Sequence, residues 1–213
     1  SGIERADSVT IDGHKQFYMP MSCGMIYFKD PHLMDAVAYH SAYINRPGSA
    51  DLGIRSLVGS RAAVSLILGS ALEIMGTGGY ALLIDHGIEI AHAFAEEIKK
   101  RVIFQLTTHP ELNILTYRIF PEQIRKEWEK SDCQKRKTLT ETLNHINITV
   151  QRLQREAGKS FVSRTTLKRS GCEDMVVLRS VIMNPLTTMD ILREVLDEQE
   201  AIYREQIAER NAL

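Results

Sequence analysis

An α/β fold is what this sequence predicts, and three observations carry that expectation. Two short β-rich runs, ADSVTID over 6–12 and CGMIYF over 23–28, stand ahead of a long helical stretch, four more strand-like runs follow Arg101, and segments of helical periodicity separate them. With 213 residues, 44% hydrophobic and 25% charged, the chain has the composition of an ordinary globular protein and enough length to bury a sizeable core.

Taken in order, the first two runs are joined by an excursion punctuated by Pro20 and are expected to be strands. Residues 31–43 read as helical. SAYINRPGSADLG, 41–53, holds Pro, two Gly and two Ser and is expected to be a loop and a candidate lid. From Arg61 to Met75 nearly every position is apolar or small, which predicts a helix buried on several sides. GTGG at 76–79 should stop it, and Ala81 to Arg101 should form a second, more amphipathic helix. Beyond Arg101 strands are expected at 102–107, 112–119, 160–167 and 175–183, with helices at 136–156 and 188–208. Leu143, Ile146, Val150 and Leu153 share a face of the first of these helices, and Leu192, Val195, Gln199 and Ile202 of the second. The change in texture places a domain boundary near residue 101, giving 1–101 and an α+β unit over 102–213.

Composition narrows the function classes. Lys and Arg number 26 against 27 Asp and Glu, so no charge excess draws the chain to nucleic acid, and no uninterrupted apolar stretch reaches a spanning length. Cys23, Cys133 and Cys172 form no CxxC pair and no secretory leader is recognisable, so a soluble protein of the reducing cytoplasm is expected. The sequon Asn147-Ile148-Thr149 lies within a helical pattern and is read as accidental. GKS at 158–160 ends like a phosphate loop, but Leu153 stands where that loop needs glycine. The seven histidines include no HExxH and no i, i+4 pair, so no metal is expected.

The chemistry concentrates in SVTIDGHK, 8–15. A lysine at a strand end, partly desolvated beside an imidazole, has its charged form disfavoured, and its amine becomes a nucleophile able to attach a carbonyl compound. The competing reading is a surface lysine whose stem lies along the strand end.

The segment from Ala6 to Lys15, with Pro20, Cys23-Gly24 and Lys29-Asp30 beyond it, resembles the pyridoxal-phosphate-dependent group II amino acid decarboxylases, whose S-V-T-x-[ND]-x-H-K motif presents the lysine that binds the cofactor covalently. Leu57-Val58-Gly59-Ser60-Arg61 is similar to the family's L-x-G-R-R or C-G-R-H helix start, and Val177 to Pro185 is similar to its F-F-R-M-V-I-S-N-P segment. The resemblance implies the C-terminal part of a fold-type I enzyme, with the end of a large cofactor domain over 1–101 and the small α+β domain over 102–213. It also implies pyridoxal 5'-phosphate as cofactor, an acidic amino acid such as glutamate or aspartate as substrate, with 2,4-diaminobutyrate next, and a homodimer sharing its active sites. Because relatives carry further cofactor contacts ahead of the lysine, the N-terminal half of the same enzyme is an expected partner, and the chain by itself is expected to be inactive.

Residue by residue, Lys15 matches the cofactor lysine and His14 the histidine near the cofactor phosphate. Asp12 occupies the position where the best-studied animal members carry asparagine, and a carboxylate is poorly suited to touch a dianionic phosphate. Gly59, with Ser60, matches a backbone that approaches the phosphate; free N–H groups at a helix start suit an anion, although an ordinary helix start has the same sequence. Tyr43 matches a mobile-loop tyrosine that delivers a proton after carbon dioxide leaves, with Tyr39 as its competitor. Arg179 matches an arginine that holds the substrate α-carboxylate, for which a planar fork is suited; the alternative is a structural ion pair with Asp or Glu. A pyridoxal-phosphate aminotransferase or lyase, and a non-catalytic pyridoxal-binding regulatory or dimerisation module, are the alternatives to a decarboxylase.

Overall fold

Alternation across a pleat sets the first element. β1 (Ser8–Asp12) and β2 (Gly24–Phe28) pair antiparallel, with Ser8 opposite Phe28 and Asp12 opposite Gly24, so the motif residues fall at the hairpin's connected end, where residues 13–23 join the two strands. The computed structural model describes residues 2–40, 43, 46, 48, 52–56, 62–168 and 173–208. Its packing divides the chain into two units, Ser1–Ala81 and Leu82–Leu213.

In the first unit the helix expected over 31–43 is a 3-10 helix, Pro31–Val37. Asp30 caps it by accepting from His32 N at 2.9 Å, and it ends because Tyr39 N instead donates to Ile54 O at 2.7 Å, drawing the chain into an extended path. A second short turn, Leu52–Arg55, is tied back by Arg55 Nη2 donating to Asp35 Oδ1 at 2.8 Å. Most of the expected loop, and the whole of Leu57 to Arg61 including Gly59 and Ser60, lies outside the described residues.

The two helices expected around GTGG form one element, α1 (Val64–Lys100), interrupted at Gly76. With φ 62° and ψ 178° Gly76 breaks the helical path in a conformation that glycine alone adopts cheaply. The burial expected for 61–75 is not found: Leu66, Ile67, Leu72, Ile74 and Met75 are exposed, and among the described residues of this part of the helix Leu68 and Tyr80 are the buried ones. Mean hydropathy reaches 1.5 over an 18-residue window of α1. By length and composition it is therefore long enough to cross a membrane, where no such stretch was expected. Those same properties describe a helix that packs apolar faces against protein.

The division between the units falls inside α1, upstream of the change in texture at Arg101. Ala91, Phe94 and Ile98 on the last turns of α1 belong to the core of the second unit. There β3 (Phe104–Thr108), β4 (Ile114–Ile119), β5 (Ser163–Leu167) and β6 (Met175–Val181) form an antiparallel sheet in the order β3-β4-β6-β5. Tyr117 lies opposite Leu178 and Leu115 opposite Ser180, so these four side chains share a face. Three further helices complete the unit: α2 (Glu122–Lys130), α3 (Cys133–Ala157) and α4 (Met189–Tyr203), the last followed by a π turn, Arg204–Ala208. The core joins Leu115, Tyr117, Ile119 and Leu178 to Ile146 and Val150 of α3 and to Leu192, Val195 and Leu196 of α4. α2 was not anticipated, since EQIRKEWEK offers only Ile124 and Trp128 as apolar periodic residues.

Several polar groups inside this core are paired, although Arg125 Nε beside it has no partner among the described residues. Asn147 is fully buried, accepts from Ile119 N at 2.8 Å and donates to Ile119 O and Leu143 O, which is why its sequon marks a core residue. Tyr117 Oη donates to Gln199 Oε1 at 3.1 Å, and Gln199 Nε2 to Gln154 Oε1 at 3.0 Å.

Candidate active site

Asp12 ends β1, and the turn through Phe17 carries the next residues past the end of the hairpin. Gly13 is buried there, and a Cβ on it would stand 2.5 Å from Cys23 Sγ, so any side chain at this position would have to displace the buried Cys23 before the turn could close. Closure fixes His14. Its backbone N donates to Cys23 O at 3.2 Å, and its Nδ1 lies 2.8 Å from the same oxygen. Cys23 N also lies 3.3 Å from Nδ1, but the carbonyl can only accept, so the shorter contact assigns Nδ1–H as the donor and leaves Nε2 as the ring's acceptor. Met19 N donates to Gly13 O at 3.0 Å and Tyr18 N to Lys15 O at 2.9 Å, while Tyr80 Oη donates to Phe17 O at 3.2 Å with the two rings 5.1 Å apart.

Lys15 stands at the apex. Its backbone N donates to Asp12 O at 3.2 Å and its Nζ approaches Asp12 Oδ2 at 2.5 Å. The hydrogen bond from Lys15, and then its charge, hold the Asp12 carboxyl below the usual carboxylate range. The Lys15 side chain is 61% exposed. The partial desolvation expected for it is therefore not found among the described residues, because the turn projects it beyond the hairpin instead of onto a packed face.

Asp12, His14 and Lys15 are thus brought together within one turn. Tyr43 and Tyr39 are exposed, and among the described residues neither makes a hydrogen bond to this turn. Arg179 belongs to the second unit, on β6 between Thr116 and Ser163 of the flanking strands, with Ser163 Oγ donating to its carbonyl oxygen at 2.8 Å. It is half-buried, and its guanidinium forms no ion pair among the described residues, so the structural ion pair considered for it is not seen there. Asn184, at the end of the same segment, accepts from Leu186 N at 2.9 Å, which turns the chain at Asn-Pro. Cys23 and Tyr80 were missed as supports of the turn. No local pattern links them to His14 and Phe17, since both contacts exist only once the hairpin and α1 have folded.

Comparison with known proteins places the chain in a family. The model of the pyridoxal-dependent decarboxylase conserved domain matches residues 1–120. An aspartate 1-decarboxylase of Aliivibrio fischeri is 45% identical over 203 residues, covering 94% of this chain and 37% of that protein. An aromatic-L-amino-acid decarboxylase of Bacillus atrophaeus is 26% identical over 210 residues, covering 96% of this chain and 40% of that one. The crystal structure of mouse CSAD shares the fold with a TM-score of 0.78 at 22% identity, over 95% of this chain and 41% of that chain. A family model that matches more than half of the chain defines the class. The chain belongs to the pyridoxal-dependent decarboxylase family, and it spans about two fifths of the length of these relatives.

Proposed function

We propose that this chain contributes to the pyridoxal-phosphate-dependent decarboxylation of an acidic L-amino acid to its amine and carbon dioxide, with aspartate the first substrate to test and glutamate and 2,4-diaminobutyrate next. The observation that carries this reading is the turn that holds out the Lys15 amine beside a fixed imidazole. Family membership and the likeness to an aspartate 1-decarboxylase support it.

The residues fit a carbonyl cofactor in part. The Lys15 side chain is exposed enough for an aldehyde to reach it once its pairing with Asp12 is released, and the His14 ring is anchored through Nδ1, which leaves Nε2 for another partner. Asp12 does not fit as a phosphate ligand, since its carboxylate is anionic and engaged by Lys15. When bound, pyridoxal phosphate supplies an electron sink for the charge released as the α-carboxylate leaves. In this reading Lys15 anchors the cofactor, His14 lies near its phosphate, and the N–H groups of Gly59 and Ser60 bind that phosphate. Arg179 holds the substrate α-carboxylate through its fork, and the Tyr43 phenol returns a proton to the α-carbon while its loop excludes water.

Residues 1–101 would complete a large cofactor domain and 102–213 form the small domain. A homodimer in the cytoplasm fits the apolar side chains that α1 exposes and the free thiols of Cys23 and Cys133. The test is borohydride reduction of the intact protein with pyridoxal phosphate, followed by peptide mapping, with amine release from aspartate and glutamate measured in parallel. The label is expected on Lys15; a label on another lysine would overturn the assignment.

A further inference from the structure

We propose that Asp12 is a positioning residue for Lys15: its carboxylate clamps the ε-ammonium at the turn apex and restrains the free amine available for reaction. The inference rests on Lys15 being the reactive lysine of the reading above, and adds a control on that same site. Two contacts three residues apart build the clamp, the backbone bond from Lys15 N to Asp12 O and the side-chain pair at 2.5 Å. The turn that makes both is fixed from behind by Gly13 against Cys23 and by His14 on the Cys23 carbonyl, so Asp12 and Lys15 are presented to each other by a closed ring of contacts.

Among the described residues, Asp12 is the charged partner that Lys15 uses. His14 is the neighbouring titratable group on the turn, followed by Tyr18, and β2 alongside contributes Gly, Met, Ile, Tyr and Phe with no charged side chain. Lys29 reaches the other way, to Glu4 O at 3.2 Å. A pair as exposed as this one contributes little to stability. Its effect falls on the amine itself, which must shed both the proton and the carboxylate before it attacks a carbonyl. The same carboxylate repels a phosphate dianion, so cofactor entry and release of the clamp oppose one another.

The test measures Lys15 acetylation by acetic anhydride in the intact cofactor-free protein at pH 7.5, with Lys29 acetylation as an internal reference and thermal unfolding as a folding check. In Asp12→Asn the Lys15/Lys29 rate ratio should rise about two- to fivefold at low salt, as expected for loss of an exposed ion pair. One molar sodium chloride should raise the wild-type ratio toward that of the variant, and Asp12→Glu should restore the low ratio. Equal ratios in wild type and Asp12→Asn, or a difference that salt does not narrow, would overturn the clamp. Borohydride labelling by pyridoxal phosphate is read separately: a label on Lys15 with unchanged acetylation sinks only the clamp, whereas a label elsewhere sinks the functional reading.

Discussion

At the scale of residues, the sequence singles out a candidate lysine but not its setting. SVTIDGHK names Lys15 and His14 because a strand pattern ends there in a nucleophile beside an imidazole. Nothing in that string says that Gly13 must be glycine for want of space, since its backbone is not left-handed and the obstacle, Cys23 Sγ, comes from beyond the turn. Gly13→Ala should therefore lower the thermal unfolding temperature of the intact protein, with overpacking on the order of 1–3 kcal/mol. Cys23→Ala removes the sulfur and leaves its own Cβ, which a Gly13 Cβ would meet at 3.3 Å, a contact that small shifts absorb. The double variant should thus be less destabilised than the sum of the singles, by roughly 0.5–3 kcal/mol of coupling. Strict additivity would show that the turn tolerates a side chain at position 13 by another route.

Elements follow the periodic signals where a core enforces them and depart where it does not. β4, β6, α3 and α4 lie close to the expected ranges because their apolar residues meet in one core, whereas α2, nearly all polar, gave no period to read. α1 shows the opposite failure: an apolar run looks buried from composition, yet composition does not say which surface covers it. Among the buried polar residues Gln199 stands on an expected helix face whereas Asn147 and Gln154 give no such signal, and Tyr117 shows what burial does to a polar group. Desolvation, set against hydrogen bonds with Gln199 and Ser180, pushes its phenol up to about 12 from 10.0. Below pH 10 folded and unfolded chains both keep that proton, so stability does not depend on it. Between pH 10 and about 12 the unfolded chain ionises while the folded one does not, and stability should fall by roughly 2–3 kcal/mol. Tyr117→Phe starts less stable, because Gln199 Oε1 loses its donor, but should lack this part of the fall. Urea midpoints from pH 9 to 12 for both proteins give the difference, and Tyr203, also raised by burial, cancels because both retain it. Parallel curves would mean that the Tyr117 phenol ionises as readily folded as unfolded.

The whole molecule is uneven in what it buries. Among the described residues the first unit buries only Cys23, Ile54, Leu68 and Tyr80 as hydrophobic side chains, while the second joins a four-stranded sheet to its helices through a continuous core. A two-stranded hairpin is marginal without a packed face, and Ile26 and Tyr27 of β2 are exposed. The second unit has what independent folding requires: an antiparallel sheet, buried apolar layers, and paired polar groups such as Asn147. Amide exchange of the 213-residue chain by itself should therefore separate the two. Hydrogen-bonded amides of β1 and β2 should open at a cost of roughly 1–2 kcal/mol, and those of β4 and β6 only at the cost of unfolding the second unit, several kcal/mol higher. Addition of urea should remove protection from β4 and β6 in one cooperative step and leave the hairpin rates little changed. Protection of both sets to the same level, lost at the same urea concentration, would mean that the hairpin is held by more than its own few buried residues, and that the two units unfold as one.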